Sequence, residues 1–237
     1  MKQLILIVKT ELFQLKQDKR LLVALIIFLL IYLSSVISIL LNSIEYTYFS
    51  PHTYNILSSP INDISSINIL IFLLCILSFS TCSLVAADIT AGEKERNTLE
   101  ILFMTKCPRH LIYWGKLIVG LIFSLIPFIL GLITMILLTL VFPLNVVCFS
   151  DILRLFFLMI PYTLMISILL IHNGFNANNI RSAKSTELVL FLGIPFVCII
   201  LTQISSFWTF GIYYFTTIFL CVMISRNTIK NLEFTIR

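Results

Sequence analysis

From Leu21 to Leu41 the chain carries no charged residue. A bilayer core of about 30 Å is crossed by about 20 apolar residues at 1.5 Å rise each, so this run is long enough to span one. Segments of the same kind follow at Ile67–Ala87, Lys116–Phe142, Ile152–His172, Glu187–Gln203 and Phe207–Ser225. Only Ile204, Ser205 and Ser206 separate the last two. They read as two crossings with a tight outer turn rather than one partial hairpin, because the flanking charges then share a side. The runs are continuously apolar and do not alternate, which excludes a transmembrane β-barrel. Lipid cannot satisfy an open backbone, so the predicted fold class is all-α, a polytopic membrane protein of six transmembrane helices. Composition agrees. The chain is 59% hydrophobic and 11% charged, with a mean hydropathy of +1.05, whereas about a quarter of a soluble domain is charged.

Lys and Arg set the orientation. They cluster in the N-terminal segment (Lys2, Lys9, Lys16, Lys19, Arg20), in the loop between spans two and three (Lys94, Arg96, Lys106, Arg109, Lys116), at Arg181 and Lys184, and at Arg226, Lys230 and Arg237. A six-span chain with both termini in the cytoplasm places all of these inside. Only Arg154 falls at the outer mouth of span four, where it can snorkel outward and pair with Asp151. The net charge of +5 is therefore a topology signal, not a nucleic-acid footprint. The expected location is the plasma membrane, and the Leu-, Ile-, Asn- and Lys-rich usage fits an AT-rich bacterial genome.

Residues 1–20 are predicted as an amphipathic interfacial helix, with Leu4, Ile5, Val8, Leu12 and Leu15 at helical spacing. The alternative is an ordinary basic topogenic tail. No cleavable signal peptide is expected, since charges run to Arg20 and the next apolar stretch is long enough to span. Residues 21–237 form the transmembrane domain. The outer loop 42–66 carries no recognisable site. Cys75, Cys82, Cys198 and Cys221 lie in spans, Cys107 faces the cytoplasm and Cys148 the outside, so no disulfide framework is expected.

The cytoplasmic loop 88–115 is the most informative segment. Asn97-Thr98-Leu99-Glu100 has capping-box spacing, and Leu99, Leu102 and Phe103 form an apolar stripe on the short helix that follows. Pro108 ends or restarts that helix. The stripe needs a cover, either the inner leaflet or a partner protein. Gly92-Glu93-Lys94-Glu95-Arg96-Asn97-Thr98-Leu99-Glu100-Ile101-Leu102 resembles the G-E-x-x-x-G-T-L-E-x-L signature of ABC-transporter permeases of the type-2 export class. The resemblance continues through Pro108-Arg109 and Gly115-Lys116 and covers about 25 residues closely. Asn97 departs from the family's usual Gly. The resemblance implies a coupling helix between spans two and three, with Thr98, Leu99, Glu100, Leu102 and Phe103 at the contact with a separate ATPase. It also implies a cytoplasmic polar bundle holding Glu93, Glu95 and Arg96. No G-x-x-x-x-G-K-[ST] occurs, so no catalytic residue is expected on this chain. ATP and Mg would be held by two copies of a partner ATPase, beside a second permease chain, identical or homologous.

Ser34, Ser38, Ser78 and Thr81 are candidates for a translocation path, although Ser and Thr in spans also serve helix packing. No ionised residue stands near the middle of a span, which argues against a proton-coupled carrier or a charged filter. The expected cargo is amphipathic or lipid-like: a peptide, an antibiotic or a lipid-linked molecule. The competing classes are a non-transporting immunity or scaffold protein and, further off, an intramembrane enzyme. The three histidines, His52, His110 and His172, are too scattered in this topology to form a metal site. The orientation is testable with single-cysteine variants. In intact cells an impermeant thiol reagent should label Cys148 and leave Cys107 unlabelled, and the reverse pattern would invert the topology.

Overall fold

A computed structural model describes residues 2–17, 61–104, 108–141, 149–177, 179–187 and 207–234, with isolated helical positions between 23 and 34. The described residues are almost entirely helical, with no strand among them. Helix α1 spans Lys2–Gln17 and α2 spans Ile61–Ala87. A π turn (Asp88–Gly92) and a single α turn (Glu93–Glu95) extend α2. Asn97 then adopts φ 57°, in the left-handed region. This ends the helix and redirects the chain into the short α3, Thr98–Met104. Helix α4 spans Arg109–Val141, α5 spans Phe149–Asn176 and α6 spans Phe207–Phe234.

Three of these helical stretches are long and apolar enough to cross a membrane: Leu73–Glu95, Arg109–Thr134 and Gly211–Leu232. The six-span count goes beyond what the structure shows. The predicted span 21–41 is described only at scattered positions, and 187–203 lies outside the described residues apart from Glu187. The polar ends of the helices also run past the predicted spans. Helical hydrogen bonding continues through the 88–95 segment and on to Phe234, because nothing in those sequences breaks the ladder before Asn97 or Phe234.

The core lies among α2, α4 and α5. Leu74, Cys75, Cys82, Phe128, Met159 and Ile171 are buried there. Small polar groups tie the helices across it, as is common where helices pack in lipid. The Thr81 hydroxyl donates to the Phe123 carbonyl at 3.1 Å, Ser124 and Ser167 hydroxyls meet at 3.1 Å, and the Tyr162 hydroxyl donates to the Cys75 carbonyl at 3.0 Å. Helix α6 joins this core along α5. Tyr214 donates to the Phe157 carbonyl at 2.7 Å, and Tyr113 of α4 meets Ser225 at 3.0 Å. Pro127 lies inside α4 and Pro161 inside α5.

Two glycines permit close helix approach. A Cβ at Gly115 would lie 2.7 Å from Ile7 Cγ2, so α1 packs directly on α4 there. A Cβ at Gly174 would lie 1.9 Å from Thr90 Oγ1, which pins α5 against the π turn. Gly174→Ala should therefore lower stability by about 1–3 kcal/mol through overpacking. Adding Thr90→Ala, which removes the nearest atom, should restore part of the loss. Gly211, with nothing within 4 Å, is the control, and its Ala variant should unfold in detergent at or above the wild-type temperature.

Candidate functional site

One end of the bundle gathers the 88–104 segment, the start of α4 and the C-terminal ends of α5 and α6. At its centre is Lys116, whose side chain is 0% exposed. An ammonium in that position needs all three of its protons accepted. It donates to Glu11 Oε1 at 2.7 Å, to Glu93 Oε2 at 2.6 Å and to the Ile89 carbonyl. The Glu93 amide, which would bond Ile89 in an α-helix, bonds the Thr90 carbonyl instead. Three elements thus meet on one nitrogen: α1, the extension of α2, and α4.

The cluster holds two carboxylates for one lysine. Glu11 is buried, and its Oε2 has no partner. Burial raises its pKa above the usual 4.5; Lys116 pulls it back, and the neighbouring Glu93 carboxylate adds to the rise.

Around this centre the loop's charges clamp other elements. Lys94 Nζ reaches the end of α5, donating to the Phe175 carbonyl at 2.6 Å and the Ala177 carbonyl at 3.0 Å. Arg109 Nη1 donates to the Leu232 carbonyl at 2.7 Å in the last turn of α6. Both are cations on helix C-termini, where terminal carbonyls lack partners and the helix dipole favours positive charge. Arg96 pairs with Asp88 at 3.0 Å, and Glu95 Oε2 lies 3.5 Å from the Ile180 amide. Of the predicted polar bundle, Glu93 enters the Lys116 cluster, while Glu95 and Arg96 are exposed at its edge.

Helix α3 sits differently from the capping-box expectation. An N-cap with a side-chain bond needs extended backbone, and Asn97 is left-handed. Its φ is one that Gly or Asn adopts at little cost, which accounts physically for an Asn where the resembled motif has Gly. The Thr98 hydroxyl closes the turn by donating to the Glu93 carbonyl at 3.1 Å. The apolar stripe packs inward onto this chain. Leu99 is 2% exposed within the core, and Phe103 packs against it beneath the Arg109 guanidinium. The chain itself covers Leu99 and packs against Phe103. Leu102 is half-buried. The outward side carries Thr98, Glu100, Ile101 and Met104, and the last two are 64% and 84% exposed.

The candidates for a translocation path are dispersed. Ser78 and Thr81 are buried in the α2 core, with Thr81 bonded to the Leu77, Ser78 and Phe123 carbonyls. Ser34 is an exposed helical position, and Ser38 lies outside the described residues. His172 ties α5 to α6 through Nδ1 and Thr228 Oγ1 at 2.6 Å, with Asn176 donating to Nε2. Among the described residues no group of three His, Cys, Asp or Glu is placed to hold a metal.

Sequence reading missed Glu11 and Lys116 as site residues. Glu11 stands on the apolar face of α1 one turn from Ile7 and Leu15, and Lys116 follows a close-approach glycine; a charge on each of two packed faces was the available signal. Compared with protein-family models and with curated proteins, the chain matches none.

The cluster makes two predictions. Lys116→Met strands the buried Glu11 and the half-buried Glu93 carboxylates and should cost about 3–5 kcal/mol, whereas the Glu11→Gln, Lys116→Met, Glu93→Gln triple variant should recover most of it. The raised Glu11 value sets a pH sign. The folded chain keeps this proton to higher pH than the unfolded chain, so the group's contribution is full below about 4.5 and is lost as pH rises through the folded value. Glu11→Gln should flatten that component in thermal unfolding between acid and neutral pH.

Proposed function

We propose that the chain is the transmembrane permease subunit of an ATP-driven ABC exporter of the type-2 class, worked by a separate ATPase through α3. The observation that carries the reading is the mounting of α3. It is fixed inward by Leu99 and Phe103, and it presents Glu100, Ile101 and Met104 outward. A seven-residue helix held this way is a handle that a second protein could grip. Its base connects to every packed element: to α1 and α4 through Lys116, to α5 through Lys94 and to α6 through Arg109.

The six-span topology with cytoplasmic termini belongs to the same reading, as does a second permease chain. Exposed apolar side chains on α1 (Ile5, Leu6, Phe13) support an interfacial placement of that helix, on a face that shares only Ile5 with the one anticipated. The proposed cargo is amphipathic or lipid-like, and ATP with Mg belongs to the partner.

The buried position of Leu99 decides which variants test this. Leu99→Asp would damage the core and is uninformative. Ile101→Asp, Met104→Asp and Glu100→Ala change only the outward face. Purified from its host in detergent, the chain should bring a stoichiometric ATPase. Ile101→Asp with Met104→Asp should reduce its recovery at least tenfold, with the unfolding temperature unchanged. Absence of an ATPase, or equal recovery with the double variant, would favour the scaffold or immunity class.

A further inference from the structure

A groove of about 500 Å³ runs between α5 and α6, a volume typical of ligand sites. Its walls are apolar along most of its length, with Leu164, Ile168 and Ile218 among them. Along α6 it extends from Tyr214 to Lys230, about 24 Å at 1.5 Å per residue. That exceeds the roughly 15 Å thickness of one hydrocarbon leaflet, so an acyl chain fits within it lengthwise. At the far end the Tyr214 hydroxyl donates to the Phe157 carbonyl at 2.7 Å.

The other end is basic. Arg226 and Lys230 both line the groove and stand one turn apart on α6. Both are exposed, and among the described residues neither has an ion-pair partner. The indole of Trp114 lines the same groove from α4 and is 41% exposed, a residue suited to the headgroup level of a bilayer. An apolar channel of leaflet length with two cations at one end, unpaired among the described residues, matches one chemistry: an acyl chain joined to an anion.

We infer that the groove is a binding site for an acidic phospholipid, with an acyl chain against Leu164, Ile168 and Ile218 and the phosphate on Arg226 and Lys230. Cations beside a membrane surface hold anionic headgroups while their stems lie along apolar wall. The site is independent of α3 and stands whether or not an ATPase binds there.

The test uses the full chain, reconstituted in nanodiscs of mixed phosphatidylglycerol and phosphatidylcholine, with retained lipid read by native mass spectrometry after extraction. Wild type should retain phosphatidylglycerol in preference to phosphatidylcholine. Arg226→Ala with Lys230→Ala should lower that retention roughly thirtyfold. Arg226→Lys with Lys230→Arg, which keeps both charges, should preserve it and controls for folding. Leu164→Trp with Ile218→Trp, which fills the groove and leaves the cations, should also abolish it. Equal retention of both lipids, or wild-type retention by the alanine pair, would overturn the site. So would displacement by inorganic phosphate, which would mark an anion site without a lipid. A groove-filling variant that splits a dimer while phosphatidylglycerol stays bound would assign the face to a second copy instead.

Discussion

A lysine ammonium sealed from solvent is tolerable only if protein groups replace its hydration, and Lys116 has them from three directions. Glu11 arrives on α1, the Ile89 carbonyl on the π turn, and Glu93 on the turn that follows. Each of those elements is placed by the need to reach one nitrogen. The π turn is the least expected of them, and its Ile89 carbonyl accepts from the lysine. Such turns are rare in helices and are often found at functional sites. Burying this cluster is weak ground for net stability, because desolvation can cancel the attraction. Its consequence is specificity of arrangement: this docking of α1, α2 and α4 brings one acceptor to each of the three protons.

The direction of α3 follows from that anchor. The 88–95 segment is held by Lys116, the chain turns at Asn97, and the helix that emerges has Leu99 as its inward peg. Lys94 and Arg109 bracket this turn and cap the ends of α5 and α6. The two cations that read in sequence as topology signals are also structural ties. The tie has a plain cause, since a cation at this end of the bundle lies beside the C-terminal carbonyls of helices that finish there.

Much of the architecture was legible because lipid imposes a simple length rule. The apolar runs at 67–87, 116–142 and 207–225 coincide with helices long enough to span. The short helix after Asn97 was also legible, through Pro108 and the spacing of Leu99, Leu102 and Phe103. What was not legible was which way that stripe faces. Periodicity identifies an apolar face but not its cover, and a buried stripe and a docking stripe share one pattern. The left-handed Asn97 was concealed in the same way, since Asn suits both an N-cap and an αL turn. Glu11 was lost because it interrupts the apolar face of α1, and a polar interruption reads as noise until its partner on α4 is known.

The ion cluster also bears on where the molecule can bend. Separating Lys116 from either carboxylate would leave charge uncompensated in a dry site, a cost of several kcal/mol. The 88–95 segment, α1 and the first turns of α4 should therefore move as one body under any force applied at α3. Compliance must lie further along the helices. Pro127 in α4 and Pro161 in α5 each remove a backbone donor inside a long helix, and both stand well away from the cluster in sequence. A push on α3 would be carried rigidly to that level and released there as a change in helix angle. In this arrangement the rigid end is the polar one and the yielding part is the apolar one.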